Sequence, residues 1–264
     1  MNIIVCLKQV PDTNEVKIDP RTGTLIREGV PTIMNPDDKH ALIEAVRIKR
    51  ENGGKVTALS MGPPQAEEAL REALAYGADE AVLLCDRAFA GSDTWATANA
   101  LGGAIKSLGN FDILFFGRQA IDGDTAQVGP QVAEYLKIPQ ITYAQKIEIG
   151  GGKLIVERQM EEGYEIIEAK VPCLVTCISE INQAQYPTLF GIREAYRKKE
   201  VKVLSADTAK VDKTKVGLLN SPTSVKKSFT PAGKGGGQTL KGSPKEVSAK
   251  IINMLKEKEL VGGF

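Results

Sequence analysis

One loop in the sequence combines residue types and spacing that bind a phosphate group through the protein backbone. Residues 117–129 begin and end with glycine, contain small and short polar residues, and directly follow the apolar run 111–116. Such a run is typical of a strand buried on both faces. Val128, Val132 and Leu136 are four residues apart, which predicts a helix. A tight loop between a strand and a helix directs unpaired backbone N–H groups and the helix dipole at one point, so we expect an anion there.

The same loop lacks the signatures of two common nucleotide-binding loops. It has no GxxxxGK[ST] motif, and no GxGxxG motif follows a strand in this chain. Asp122 and Asp124 carry negative charge, but short carboxylates can cap a helix or bind ribose hydroxyls while backbone N–H groups hold the anion. An ordinary surface loop with a capped helix stays open as the alternative.

A second small, polar segment is placed to help hold the same ligand. Residues 91–94 follow a strand-like run, and Asp93 has the residue type and position of a helix N-cap. Two helix N-termini from neighbouring βα units could flank one extended pyrophosphate in the crevice outside the strand ends. Residues 35–38 before the first helix are most simply a capping turn, with ribose binding as the other interpretation.

The sequence predicts no catalytic set of its own. The single histidine, His40, lies in a charged segment that we interpret as a solvated helix face, so Ser-His-Asp and Cys-His arrangements are not supported. Cys6, Cys85, Cys173 and Cys177 form no CxxC pair, and we expect small apolar fillers and no metal site. Such a chain suits a cofactor that carries out redox chemistry itself while the protein supplies position and electrostatics.

The order of apolar patterns predicts an α/β fold with a doubly wound, mostly parallel sheet. From residue 141 to residue 170 the apolar period changes to two, which predicts an antiparallel β meander. Pro130 conflicts with the fourth helix, which must either kink there or begin later. The strand candidates are 3–7, 56–61, 81–84, 111–116 and 173–178, and the helix candidates are 37–52, 65–76, 93–107 and 125–136.

Composition describes an ordinary globular chain. Its 264 residues are 42% hydrophobic and 25% charged, and a net charge of +1 provides no electrostatic reason to bind nucleic acid or an anionic membrane. No apolar run approaches the roughly 20 residues of a membrane span. The N-terminus passes straight into a strand without a signal peptide, and the cysteine pattern fits a reducing compartment, so we expect a cytoplasmic protein.

We expect two parts, an α/β domain at 1–205 that binds the nucleotide and an extended C-terminal arm at 206–264. Residues 206–243 are rich in Lys, Ser, Thr, Pro and Gly, which predicts a linker. Residues 243–246 form a capping box before a helix with Val247, Ile251 and Leu255 on one face. That helix needs a surface to cover these residues, either on its own domain or, as the long linker favours, on another subunit.

Several segments carry motifs of one known family: 7–10 (Leu-Lys-Gln-Val), 34–36 (Met-Asn-Pro), 117–122, and 156–163 leading to 172–176. Together they resemble the β subunit of electron-transfer flavoproteins, and the resemblance extends over nearly the whole chain. It implies an adenine-nucleotide α-hydrolase-like fold and pairing with an α subunit that carries a flavin and is clasped by the C-terminal helix.

Residues 86–97 and 30–38 resemble most closely the electron-bifurcating group of this family, in which the β subunit holds FAD. The resemblance implies that this FAD accepts a hydride from NADH and divides the electron pair. One electron would pass to a low-potential carrier, ferredoxin or flavodoxin. The other would pass through the α-subunit FAD to an acyl-CoA dehydrogenase-type partner. The chain would thus be a redox subunit without acid–base residues of its own.

Three alternatives stay open. In the first, the chain is a non-bifurcating electron-transfer flavoprotein β subunit that holds structural AMP and does no chemistry. The second is an adenine-nucleotide α-hydrolase, which would need an SGGxDS-like loop where this chain has Lys8-Gln-Val-Pro-Asp12. The third is a regulatory nucleotide sensor.

The resemblance also assigns site residues. The adenosine diphosphate half of the cofactor would be surrounded by Cys6, Asn35, Met61, Gly117, Arg118, Gln119, Ala120, Ile121, Asp122, Gly123, Asp124, Thr125, Ala126, Gln127 and Val128. The second phosphate and ribityl chain would lie near Asp93, Thr94 and Thr97. Docking of the acyl-CoA dehydrogenase-type partner would use Tyr186, Leu189, Phe190 and Ile192, with Leu189 as the anchor.

Overall fold

The computed structural model of the protein describes residues 1–12, 31–226 and 235–261. Val30, the first residue of one segment behind the family resemblance, lies outside the described residues. The strands are β1 Asn2–Cys6, β2 Gln9–Pro11, β3 Thr32–Met34, β4 Lys55–Met61, β5 Glu80–Leu84, β6 Ile113–Gly117, β7 Gln140–Gly150, β8 Lys153–Met160, β9 Gly163–Lys170, β10 Cys173–Cys177 and β11 Val201–Leu204. The helices are α1 Pro36–Asn52, α2 Glu67–Tyr76, α3 Thr94–Leu108, α4 Val128–Leu136, α5 Leu189–Arg197 and α6 Pro244–Glu257.

One large sheet organises the described residues. Its nine strands lie in the order β11-β5-β4-β1-β6-β10-β7-β8-β9. The strands from β11 to β7 run parallel, whereas β8 and β9 are antiparallel to their neighbours. After β1 the chain adds β4 and β5 on one side and then crosses to place β6 on the other side of β1. The switch point of the sheet therefore lies between β1 and β6, where ligands of open α/β sheets bind.

Burial on both faces of the sheet explains why the central strands are almost wholly apolar. Ile3 and Val5 of β1 face the core that contains the buried residues of α1 and α2. Ile4 and Cys6 face the opposite core, which contains those of α3 and α4. Since successive side chains of a strand point to opposite faces, a strand between two helical layers needs apolar residues at every position. The predicted doubly wound α/β fold is confirmed.

The fourth helix begins later than the predicted start at Thr125. Asp124 and Ala126 have φ angles of 47° and 52°, so right-handed helical geometry cannot begin before them. The helix begins at Val128, and Pro130 lies in its first turn, where a missing N–H group breaks no hydrogen bond. The second helix is also shorter than predicted, because its first turn, Pro64–Ala66, is a 3-10 helix.

The antiparallel meander is present and extends the main sheet. β7 pairs in parallel with β10 near its start and then antiparallel with β8. Gly151 and Gly152 form the turn between β7 and β8 with φ angles of 60° and 75°, the left-handed region that glycine tolerates best. The short strands β2, β3 and β11 were not predicted, because runs of three or four residues carry almost no periodic signal.

The chain divides into two compact units, Met1–Lys227 and Ser228–Phe264. The first unit includes the start of the segment whose composition predicts a linker. Within that segment Ala206, Ala209 and Val216 are buried in the core beside α3 and α4. Average composition hides these few apolar residues among many polar ones.

Helix α6 is the one helix or strand in the described part of the second unit. The predicted capping box is present, because the Ser243 hydroxyl accepts from the Glu246 N–H and the Glu246 carboxylate accepts from the Ser243 N–H. Ile251 and Ile252 of this helix are exposed. None of the helices in the described ranges has the length and apolar character needed to cross a membrane.

Gly191→Ala should destabilise the protein because α5 packs closely on α2. A Cβ atom at Gly191 would lie 2.3 Å from the backbone oxygen of Ala75, which cannot move without disturbing α2. We expect a loss of about 1–3 kcal/mol in the free energy of unfolding, measured by urea denaturation. Gly150→Ala is the control, since its Cβ atom would meet nothing within 4 Å. Equal stability of the two variants would contradict this account of the packing.

Candidate functional site

The candidate site lies at the carboxyl ends of β1 and β6, at the switch point of the sheet. Lys8 follows β1, and the loop of residues 118–127 follows β6 and leads into α4. The Lys8 Nζ atom lies 2.7 Å from Asp122 of this loop and joins the two strand ends across the crevice. The structure therefore places the loop that was predicted to bind phosphate at the edge where α/β sheets bind ligands.

The Asn35 side chain forms two hydrogen bonds with the backbone of this loop. Its side-chain N–H donates to the Gln119 backbone oxygen at 2.8 Å, and its side-chain oxygen accepts from the Ile121 N–H at 3.1 Å. The residue is fully buried. We expected Asn35 to contact the ligand, but the loop backbone uses both ends of its amide. Its role in the structure is to position the loop.

Asp38 in the first turn of α1 joins the two strands at the switch point. Its carboxylate accepts from the backbone N–H of Lys8 at 2.8 Å and from that of Gly117 at 2.9 Å. Burial raises the pKa of Asp38 to about 7, although these hydrogen bonds favour the charged form. A Cβ atom at Gly117 would lie 2.4 Å from this carboxylate, so only glycine fits there.

The loop itself has the geometry of a backbone anion site. The Ala120 oxygen accepts from the N–H groups of Gly123 and Asp124, which closes a turn. The left-handed φ angles of Asp124 and Ala126 then reverse the chain before α4. Among the described residues, the hydrogen bonds include no acceptor for the backbone N–H groups of residues 125–127. These groups stand beside the positive end of the α4 dipole, where an anion is favoured.

A second helix N-terminus meets this loop. The Thr94 hydroxyl at the start of α3 donates to the Gln127 side-chain oxygen at 2.9 Å. Gln131 in the first turn of α4 also donates to the Thr94 hydroxyl, at 3.4 Å. The N-termini of α3 and α4 are therefore adjacent, as two flanking ends of one pyrophosphate would require.

The other predicted site residues differ in burial and in the hydrogen bonds that they form. Cys6 is fully buried at the end of β1, and burial raises the pKa of its thiol well above the usual value. Met61, at the end of β4, is partly exposed. Thr97 lies in the first turn of α3, and its N–H donates to the Asp93 backbone oxygen. The Asp93 carboxylate accepts hydrogen bonds from Ala96 and Thr223 within the chain.

Sequence reasoning missed the roles of two site residues. Lys8 was not predicted as a site residue, because a lysine after a strand is common on surfaces. Asp38 was predicted only as part of the turn 35–38 before the first helix, interpreted as a capping turn or as binding ribose, and its contact with both strand ends was not foreseen. Arg118 was predicted, and its Nε atom lies 3.3 Å from Asp37. The interpretation of His40 as solvated was wrong, since its Nδ1 atom lies 2.8 Å from the Asn182 side-chain oxygen in a partly buried contact.

The described residues include no cluster suited to a metal ion. Within 1–12, 31–226 and 235–261, no three His, Cys, Asp or Glu side chains come together in a way that could bind one.

The residues predicted for partner docking form an exposed apolar patch, which we call the docking patch. Tyr186, Leu189 and Phe190 are 96%, 87% and 69% exposed, and Ile192 is 38% exposed. The Thr188 side chain caps α5 by accepting from the Gly191 N–H at 3.0 Å, which orders the helix that carries the patch. Clustered exposed apolar residues of this kind mark interaction sites.

The fold is that of an α/β protein, and its candidate site lies at the switch point of a parallel sheet, where a backbone loop and two helix N-termini meet. The family model of the electron transfer flavoprotein domain matches residues 22–209 of the chain. The chain therefore belongs to the electron transfer flavoprotein family.

Relatives share nearly the full length of the chain. It is 60% identical over 261 residues to the electron transfer flavoprotein subunit beta of Thermoanaerobacterium thermosaccharolyticum, covering 99% of this chain and 100% of the relative. It is 53% identical over 263 residues to subunit CarD of the caffeyl-CoA reductase-Etf complex of Acetobacterium woodii, with the same coverage. It is 48% identical over 269 residues to the acryloyl-CoA reductase electron transfer subunit gamma of Anaerotignum propionicum, again covering 99% and 100%. The predicted resemblance to electron-transfer flavoprotein β subunits is confirmed.

Asp38 should make the protein less stable as the pH rises. Burial raises the pKa of its carboxyl from 3.8 to about 7. Between about pH 4 and pH 7 the folded protein therefore retains a proton that the unfolded chain has released, so the free energy of unfolding decreases through this window. A shift of about three pKa units corresponds to on the order of 4 kcal/mol. Urea unfolding at several pH values measures the slope, and Asp38→Asn should flatten it.

Asp86→Asn is the control for this slope. Hydrogen bonds from the N–H groups of Ala88 and Ala206 lower the pKa of Asp86, which gives the opposite sign. Its contribution is present above about pH 4 and is lost as the pH falls below that value. The slope between pH 4 and pH 7 should therefore stay as in the wild type. A wild-type slope in Asp38→Asn would contradict the assignment.

Proposed function

We propose that this chain is the β subunit of a heterodimeric electron-transfer flavoprotein and that its switch-point site binds FAD. The observation that carries the proposal is the contact of Thr94 with Gln127, which brings the N-termini of α3 and α4 together. A single phosphate, as in AMP, needs only one helix N-terminus. Two adjacent N-termini fit the two phosphates of a dinucleotide.

The donor set of the loop fits the phosphates of such a group. Backbone N–H groups of residues 125–127 supply neutral donors, and Lys8 and Arg118 supply positive charge. Their positive charge is largely balanced within the chain by Asp122 and Asp37. Electrostatic attraction is therefore moderate, and we infer that the ligand is held mainly by directed N–H groups.

The residues of this chain bind and orient the cofactor and do not take part in proton transfer. When bound, FAD supplies redox chemistry, accepting a hydride from NADH and releasing single electrons. Asn35 and Asp38 hold the strand ends and the loop in place. We propose that the electrons pass to ferredoxin or flavodoxin and, through the α-subunit FAD, to an acyl-CoA dehydrogenase-type partner.

The names of two relatives support a partner of this kind. One relative belongs to a caffeyl-CoA reductase complex and another to acryloyl-CoA reductase. The exposed docking patch supplies a surface on which such an enzyme could bind. The four cysteines are free thiols, and we keep the cytoplasmic location expected from them as part of the proposal.

Flavin stoichiometry tests the proposal. The chain is co-purified with its α subunit, and the flavin and AMP content per heterodimer is measured. Two FAD per heterodimer, with NADH-dependent ferredoxin reduction that requires a high-potential acceptor, is the expected result. A content of one FAD plus one AMP per heterodimer would contradict the bifurcating function and support the alternative of a non-bifurcating β subunit.

Gly123→Val should lower FAD occupancy if the loop lies against phosphate. Gly123 has open space around its Cβ position and no left-handed φ angle, so the folded chain accommodates valine. We therefore expect little change in stability but a loss of about tenfold in affinity, as for a misplaced phosphate contact of about 1.4 kcal/mol. Gly150→Val, in equally open space in the meander, is the control. Unchanged flavin content in Gly123→Val would show that the loop does not lie against the cofactor.

Leu189→Ala should weaken docking of the dehydrogenase without changing flavin content. An exposed anchor that becomes buried in a partner contributes about 2 kcal/mol or more, which is roughly a 30-fold change in affinity. The measurement is the dependence of electron-transfer rate on dehydrogenase concentration. Leu219→Ala is the control, because Leu219 is 97% exposed outside the docking patch. Similar effects of the two variants would argue against a specific role for Leu189.

A further inference from the structure

The beginning of the C-terminal segment is bound to the loop that precedes α3. Four hydrogen bonds join residues 204–221 to residues 85–93. They run from Cys85 N to the Leu204 oxygen at 2.9 Å, from Leu218 N to the Ala90 oxygen at 3.0 Å, from Gly217 N to the Ser92 hydroxyl at 2.9 Å and from Asp93 N to the Ser221 hydroxyl at 2.9 Å. Asp86 adds a fifth by accepting from the Ala206 N–H at 3.0 Å.

Residues 204–221 also pack closely against residues 85–93. A Cβ atom at Gly91 would lie 2.9 Å from the Cβ atom of Leu218. A Cβ atom at Gly217 would lie 2.4 Å from the Ala88 backbone oxygen. Both glycines also have left-handed φ angles, 73° and 79°. The C-terminal segment is therefore fitted into the loop and does not merely lie across it.

Asp93 connects the C-terminal segment with the N-terminus of α3, at the proposed cofactor site. One oxygen of its carboxylate caps α3 by accepting from the Ala96 N–H at 2.9 Å. The other accepts from the Thr223 N–H at 2.9 Å and from the Thr223 hydroxyl at 2.8 Å. Burial alone would raise the pKa of Asp93, but the hydrogen bonds from Ala96 and Thr223 lower it below the usual value. The carboxylate is therefore charged, and its partners are within the chain.

The neighbours of Asp93 and Thr223 in the sequence connect the cofactor site with the C-terminal arm. Thr94, next to Asp93, contacts Gln127 of the phosphate-binding loop. Thr223 precedes the segment that leads to α6, the helix with exposed apolar residues. A displacement of Thr223 therefore acts on the Asp93 carboxylate, which caps α3.

We propose that Asp93 and Thr223 are positioning residues that couple the α subunit's hold on the C-terminal arm to FAD binding at the N-terminus of α3. This inference rests on the proposed function. Binding of the arm by the α subunit fixes Thr223, which fixes the start of α3 for the cofactor. By thermodynamic linkage, bound FAD strengthens the hold of the α subunit by the same factor.

Two substitutions separate this role from the capping of α3. Asp93→Asn keeps an oxygen for the Ala96 N–H, and asparagine caps helices as well as aspartate, but its amide nitrogen cannot accept from Thr223. Thr223→Val keeps the shape of the side chain and loses the hydroxyl donor. Thr214→Val is the matched control, because Thr214 bonds Asp212 in the same way within the C-terminal segment and apart from the loop.

The experiment measures FAD dissociation from the purified heterodimer by recovery of flavin fluorescence, together with hydrogen exchange of residues 88–97. We expect Thr223→Val and Asp93→Asn each to release the β-site FAD about 3- to 10-fold faster, which corresponds to the net contribution of one ordinary hydrogen bond. Exchange at 88–97 should rise in both variants. The double variant should be no worse than Asp93→Asn alone, since Asp93→Asn already removes the acceptor of the hydrogen bond that Thr223→Val removes. Thr214→Val should match the wild type.

The outcomes separate this inference from the proposed function. If the wild-type heterodimer holds two FAD and both variants release flavin at the wild-type rate, the coupling is overturned and the function stands. Additive effects in the double variant would also overturn it. If the wild type holds AMP in place of the second FAD, the bifurcating function fails. AMP dissociation and exchange at 88–97 in Thr223→Val then decide the coupling by the same criteria.

Discussion

The buried carboxylate of Asp38 is the interaction on which the rest of the site depends. At the switch point β1 and β6 diverge, and the backbone N–H groups of Lys8 and Gly117 would be left without partners. Each unpaired buried N–H group costs about 1–3 kcal/mol. One carboxylate in the first turn of α1 satisfies both, and the helix dipole there favours its negative charge. This contact requires glycine at position 117, and Asn35 extends the same support to the loop beyond it.

The backbone of the loop is strained, and hydrogen bonds from neighbouring residues stabilise the strained conformation. Asp124 and Ala126 are held in the left-handed region, which costs on the order of 1 kcal/mol or more for residues other than glycine. Such backbone persists only where the surroundings determine it, here through Asn35 and a hydrogen bond from Gln119 to Asp124. The strained turn delays the start of α4, and among the described residues the N–H groups of residues 125–127 have no hydrogen-bond acceptor. A site built from backbone and paired charges suits a cofactor that brings its own reactivity.

Periodicity and helix signals predicted most of the fold. Strands buried on both faces and helices with one apolar face differ clearly in pattern, so each central element was located within a few residues. Errors occurred where a tertiary contact overrides local preference. The late start of α4 depends on Asp124 and Ala126, whose residue types do not predict left-handed backbone. The burial of Ala206 and Val216 depends on a surface supplied by α3 and α4, which are distant in sequence.

The sequence by itself determined the alternation of strands and helices and the membership of a family, because these depend on local pattern and on motifs. The tertiary structure alone decided what individual polar side chains do. Asn35 and Asp93 were predicted as cofactor-binding residues, and the structure shows that the side chains of both form hydrogen bonds within the chain. A polar side chain near a binding loop can serve the ligand or the loop. Only the positions of its hydrogen-bond partners, brought together from distant parts of the chain, decide between the two.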